Sequence, residues 1–116
     1  MTNVYDFNNS LNNMRFSHLL GDNREIVIEE DVWIGHGTIM LKKTFIGEGT
    51  IVGANSLVNA VLKPYAVYVG NPARFIKPRF DTYDDLMKYI NMMNREYNFK
   101  TRYTTQELSE LYTYNK

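Results

Sequence analysis

The sequence predicts a mainly β protein, a solenoid of short parallel strands wound into a β-helix and followed by a helical tail. Two observations predict it. Ile28, Ile34, Met40, Ile46, Val52 and Val58 recur at a spacing of six residues, and Gly35, Gly47 and Gly53 follow the aliphatic residue in three of those six units. An amphipathic helix needs a period near 3.6 and a half-buried strand a period of two, so neither accounts for a six-residue register with glycine held in one phase. A β-helix accounts for both. Each hexad makes one short strand and one turn, and three hexads close a triangular coil. The aliphatic side chain fills the interior, and glycine stands where backbone passes close to backbone.

Taken in order, residues 1–23 hold six Asn and show no sustained period, so they read as a loop-rich segment. Residues 24–78 form the repeat body. Val32, Thr38, Thr44, Thr50 and Ser56, four places after each aliphatic, are small or β-branched and suit the corners, whereas Leu62 departs from the pattern. Lys63-Pro64-Tyr65 ends the last hexad and Asn71-Pro72 ends the body, because proline removes a donor and fixes φ. Six hexads make two coils, which would leave apolar ends open. The N-terminal segment, the tail or another chain must cover them, and association between chains is the most economical cover.

Residues 79–116 read as a helical tail. Leu86, Ile90, Met93 and Tyr97 give a helix over 81–97 one apolar stripe, and Asp81, Asp84 and Asp85 suit its positive end. Thr104 with Glu107 matches a capping box before a second short helix that ends near Tyr112. Met87, Met92 and Met93 form either a core stripe or an adaptable binding face.

Composition bounds the function. The 116 residues make one small domain, and 13 basic and 13 acidic side chains cancel, so no bulk field draws the chain to nucleic acid or an anionic membrane. The absence of cysteine excludes disulfides, thiolate nucleophiles and zinc-thiolate sites. With neither an export signal nor a long apolar run, the expectation is a soluble cytoplasmic protein without a membrane span.

The segments "IVIEEDVWIGHGTIM", "IGEGTIVGANSLV" and "KPYAVYVGNPARFIKPRF" carry three motifs in phase with the hexads: V-W-I-G at Val32 to Gly35, V-G-A-N-S at Val52 to Ser56, and G-N-P-A-R at Gly70 to Arg74. Over residues 24–80 the chain closely resembles the C-terminal part of the hexapeptide-repeat acyltransferases, most of all the maltose, galactoside, capsular-sugar and xenobiotic O-acetyltransferases. The resemblance implies a left-handed coil, a homotrimer and acetyl-coenzyme A (acetyl-CoA) bound in a cleft between subunits. It places Trp33 at the wall of the substrate site and His36 along the coenzyme cleft.

The residues themselves suit a long thin ligand. Gly35, Gly53 and Ala54 do not block approach to the backbone, whose N–H and C=O groups could pair with pantetheine amides. Plain coil geometry is the competing explanation for these glycines. Arg74 and Lys77, with Arg79, form a basic cluster suited to the coenzyme phosphates, or alternatively a solvated surface. Many relatives have Thr-Lys where this chain has Asn59-Ala60, so one phosphate contact is missing, and Lys63 is placed to compensate.

Acetyl transfer to a hydroxyl needs a base, since a neutral hydroxyl is a poor nucleophile. Family members use a histidine upstream of V-W-I-G, commonly about two dozen residues earlier. Here the upstream histidine is His18, fifteen residues before Trp33. The resulting expectation is an acetyl-CoA-dependent O-acetyltransferase acting by direct transfer on a hydroxylated small molecule, with His18 as base. The rival is a truncated or inactive relative serving as a coenzyme-binding module or oligomeric scaffold. A zinc hydrolase is disfavoured, because His18 and His36 show no ligand spacing, so no metal is expected.

Overall fold

A computed structural model of the protein describes residues 26–113; the N-terminal segment with His18 lies outside them. Each hexad supplies one two-residue strand whose second residue points inward. The first coil comprises β1 (Val27–Ile28), β2 (Trp33–Ile34) and β3 (Ile39–Met40), and the second β4 (Phe45–Ile46), β5 (Ile51–Val52) and β6 (Leu57–Val58). β1 pairs in parallel with β4, β2 with β5 and β3 with β6, each residue meeting the one eighteen places on. Three parallel faces therefore surround one interior, and Ile46, Val52 and Val58 are buried in it.

The turns explain the six-residue period more fully than the aliphatic spacing does. Asp31, Gly37, Lys43, Gly49 and Asn55, again six apart, all adopt positive φ. Each corner thus needs one left-handed residue, which only Gly takes without cost and Asn or Asp tolerate. Gly49 is doubly constrained: φ is +74, and an added Cβ would lie 2.2 Å from the Tyr65 ring. Corner hydroxyls satisfy buried carbonyls, Thr44 Oγ1 donating to the Val58 carbonyl at 3.0 Å and Ser56 Oγ to that of Gly53 at 2.7 Å.

Beyond the second coil the structure departs from expectation. The chain does not leave the coils at Lys63-Pro64-Tyr65: β7 (Val61–Leu62) and β8 (Ala66–Gly70) add two sides of a third coil. This coil is two residues shorter, since Phe45 pairs with Val61 and Ile51 with Val67. Leu62 is therefore an inward residue paired with Ile46, and not a corner residue. Tyr68 takes the next inward position, above Val52. After the turn at Asn71-Pro72, β9 (Ala73–Pro78) returns antiparallel to β8 and sets the Phe75 ring edge-on to Tyr68 at 5.7 Å. The Tyr68 hydroxyl accepts from the Lys63 amide at 3.0 Å, and burial pushes its pKa up to about 12. The pair plugs this end of the coil.

The tail forms α1 (Tyr83–Tyr97) and α2 (Thr105–Thr113). Thr82 caps α1, its Oγ1 accepting from the Asp85 amide at 3.1 Å. The capping box of α2 is present: the Thr104 amide donates to Glu107 at 2.8 Å and the Glu107 amide to Thr104 Oγ1 at 3.1 Å. Leu86, Ile90, Leu108 and Leu111 share one hydrophobic core with Phe45 and Val61, the outward residues of the first face, and Met87 packs against it. The helices thus cover that face. Tyr97 does not join the stripe; it ends α1 beyond the core and is exposed. Among the described residues, no helix is long and apolar enough to cross a membrane.

Candidate functional site

With the first face covered by helices, the second carries the predicted residues. Trp33 pairs with Ile51, Ile51 with Val67, and Val67 with Lys77. Directly opposed residues in a sheet share a face. The four side chains therefore make one row across four strands, with Trp33 at one end and Lys77 at the other, spanning about 14 Å at ordinary strand spacing. Trp33 keeps 66% of its surface in solvent. Arg74 stands opposite Val69 on the same hairpin, and both are exposed.

Beside this row runs the corner that leads from the second face to the third. Gly35 and His36 occupy it in the first coil and Gly53 and Ala54 in the second. The coils stack closely here: the His36 carbonyl accepts from the Asn55 amide at 2.9 Å, and a Cβ on Gly35 would lie 2.6 Å from the Ala54 nitrogen. Coil packing alone thus demands glycine at 35. The amide of Gly35 donates to Val52 at 2.8 Å and that of Gly53 to Tyr68 at 2.9 Å. Their carbonyls accept from Thr38 Oγ1 at 2.9 Å and Ser56 Oγ at 2.7 Å. These two glycine amides are committed to the coil, so they do not offer the free donors expected for a pantetheine chain. What they offer is a corner without side chains, flanked by exposed His36 and Ala54.

The expected basic cluster divides. Arg74 and Lys77 remain together on β9, but Arg79 lies elsewhere. Its guanidinium donates to Asp31 at 3.1 Å and to the Gly49 carbonyl at 2.9 Å, and lies against the Phe80 and Tyr89 rings. Tyr89 completes this tie by donating to Asp31 at 2.6 Å. Arg79 therefore fastens α1 to a coil corner. Lys63 Nζ sits 5.3 Å above the Phe75 ring. His18, the expected base, lies outside the described residues. Among those residues, no group of three or more His, Asp or Glu could hold a metal.

The sequence missed Val67 and Ile51 as members of the row. The eighteen-residue coil aligns Ile51 with Trp33 and so was readable, whereas Val67 enters through the shortened coil and Lys77 through the hairpin register, which the hexads do not encode.

A coil of hexad strands with an open outer face and a side-chain-free corner defines the class of hexapeptide-repeat β-helix proteins. No family model matches the chain. In sequence and structure it resembles the hexapeptide-repeat acetyltransferases. It is 48% identical over 66 residues to a probable macrolide acetyltransferase of Lysinibacillus sphaericus, across 57% of this chain and 36% of that protein. It is 42% identical over 57 residues to a chloramphenicol acetyltransferase of Agrobacterium fabrum, across 49% of this chain and 27% of that one. The solved structure of AntD, an N-acyltransferase from Bacillus cereus in complex with dTDP and 3-hydroxybutyryl-CoA, superposes with a TM-score of 0.51 at 32% identity, over 64% of this chain and 38% of that chain. The chain spans about a third of the length of the curated relatives it matches.

Proposed function

We propose that the protein is an acetyl-CoA-dependent O-acetyltransferase that acts on a hydroxyl of a sugar or another small molecule by direct transfer. The observation that carries this reading is the row from Trp33 to Lys77 beside a corner that carries no bulky side chain. A pantetheine-like chain fits along the corner of Gly35, His36, Gly53 and Ala54 because nothing larger than His36 projects there. Lys77 and Arg74, both exposed on β9, suit the phosphate end. Trp33, at the opposite end of the row, would form the wall beside the acceptor.

The coenzyme, when bound, supplies the acetyl group as a thioester. The chain's own part is to hold the acceptor against Trp33 and to take the hydroxyl proton as the oxygen attacks, a role assigned to His18. We further assign a left-handed coil, a cytoplasmic location and a homotrimer. Association would cover Trp33 and Ile39, two exposed apolar side chains that point outward from adjacent faces.

Calorimetric titration of acetyl-CoA into the protein at low salt tests the reading. Saturable binding that is lost in Arg74→Ala supports it, and no binding overturns it. A second reading keeps the coenzyme corner without turnover, as a coenzyme-binding or scaffold module. Binding without consumption of acetyl-CoA across a panel of hydroxylated and amine acceptors would establish that second reading instead.

A further inference from the structure

The side-chain-free corner meets the β8–β9 hairpin through a buried hydroxyl. The register that pairs Ile51 with Val67 and Val52 with Tyr68 sets Gly53 opposite Val69, and the Gly53 amide donates to the Tyr68 carbonyl at 2.9 Å. A parallel ladder continued by one step would bring the Gly70 amide to the Gly53 carbonyl. Ser56 Oγ stands between those two groups: it donates to the Gly53 carbonyl at 2.7 Å and accepts from the Gly70 amide at 3.1 Å. Thr38, Thr44 and Thr50, at the other corners, donate to carbonyls of the coil. Ser56 both donates and accepts, and so carries the ladder from the coil into the hairpin. The hairpin in turn holds the cations. Gly70 pairs with Ala73 and Val69 with Arg74 across the turn at Asn71-Pro72, so Arg74 lies one pair beyond the amide that Ser56 holds. Val69 seats on the corner itself, since a Cβ on Gly53 would lie 2.8 Å from Val69 Cγ2.

We propose that Ser56 is a positioning residue for acetyl-CoA, an inference that rests on the coenzyme-binding reading of this corner: its hydroxyl holds the turn from Gly70 to Arg74 at the distance from the corner that the coenzyme phosphates require. Ser56 is 2% exposed, so it acts through Arg74 and not by contact with the ligand. Where the turn sits over the corner decides where Arg74 sits relative to a chain laid along Gly35, Gly53 and Ala54. Without the hydroxyl, the Gly70 amide and the Gly53 carbonyl are left to close into a direct ladder bond, because a buried donor and acceptor are costly to leave unpaired. That closure keeps the fold and draws the turn inward, with Arg74 on it. The predicted loss is therefore one of phosphate recognition, not of the coil.

Calorimetric titration of acetyl-CoA at two ionic strengths tests this. Ser56→Ala is expected to weaken binding about tenfold at low salt and to flatten its salt dependence, since a displaced Arg74 no longer meets the phosphates. Ser56→Thr, which keeps a hydroxyl of the kind found at Thr38, Thr44 and Thr50, is expected to restore both. Unchanged affinity in Ser56→Ala overturns the proposal. So does weaker binding with the full salt dependence, which would make Ser56 a merely structural residue of the corner. No binding by the unsubstituted chain overturns the coenzyme reading itself, and this proposal with it. Amide hydrogen exchange on the unsubstituted chain gives a reading that needs no variant. The Gly70 amide is expected to exchange at least about tenfold more slowly than an open turn amide, and exchange at the open-turn rate overturns the proposal.

Discussion

The Tyr65 hydroxyl donates a 2.7 Å hydrogen bond to Oε2 of Glu48, and neither residue is exposed to solvent. The same carboxylate accepts from the Thr101 hydroxyl and, at 3.2 Å, from the Arg102 amide. Neighbouring Glu29, almost wholly buried, accepts from the Tyr103 hydroxyl and the Glu48 amide and faces the Arg102 guanidinium, which also pairs with Glu30. One coil corner thus grips the link between α1 and α2. Tyr65→Phe leaves the buried Glu48 carboxyl one donor short, and is expected to cost about 1–3 kcal/mol in denaturant unfolding.

Burial raises the Glu48 carboxyl above its ordinary range, hydrogen bonds from Thr101, Tyr65 and Arg102 oppose that rise, and the charge of Glu29 adds to it. A carboxyl raised on folding stabilises fully below its unfolded pKa and loses that contribution as pH climbs through its folded value. The unsubstituted chain should therefore lose stability relative to Glu48→Gln as pH rises above the ordinary carboxyl range, read as diverging unfolding midpoints. Parallel midpoints would show that Glu48 titrates in the fold as it does in the unfolded chain.

Glycine substitutions should separate by what the new methyl meets. Gly49→Ala combines positive φ with collision against the buried Tyr65 ring, and is expected to cost about 3 kcal/mol or more. Gly37→Ala has similar φ, but its Cβ would meet only the end of the Asn55 side chain. It should cost about 1 kcal/mol, as thermal melts of the two variants would show.

Lys77→Ala is expected to leave the melting temperature unchanged and to weaken acetyl-CoA binding by about 1–2 kcal/mol, with a reduced dependence on salt. Calorimetry at two ionic strengths checks it. Arg79→Ala should do the reverse, lowering stability by about 2–4 kcal/mol by removing the charged partner of Asp31 while coenzyme affinity in the folded fraction is kept.

Thr104→Ala removes one half of the box that starts α2. A loss of about 1 kcal/mol is expected, with faster amide exchange confined to the first turn of that helix.

Much of this fold was legible because its determinants are local and periodic. Ile46, Val52 and Val58 are buried where the six-residue count puts them, and the capping box at Thr104 and Glu107 forms as its spacing requires. Illegible were features that arise where the period changes. Leu62 reads as a corner in a six-residue count and becomes an inward residue only because the third coil is two residues short. Arg79 belongs by sequence to the cluster of Arg74 and Lys77. Its actual partners are Asp31, 48 residues away in the chain, and Tyr89, which meets it only once α1 has docked. Glu48 looks like an ordinary turn residue, since nothing local announces that residues 101–103 will close over it. The row from Trp33 to Lys77 was half visible, because its residues could be nominated one by one but their alignment depends on the antiparallel register of β9.

The plug of Tyr68 and Phe75 also gives the coil a direction. On the second face, one end closes with the antiparallel β9 and an aromatic pair, whereas at the other end, among the described residues, β2 is an edge strand. A surface shaped to meet one end of this face therefore does not fit the other.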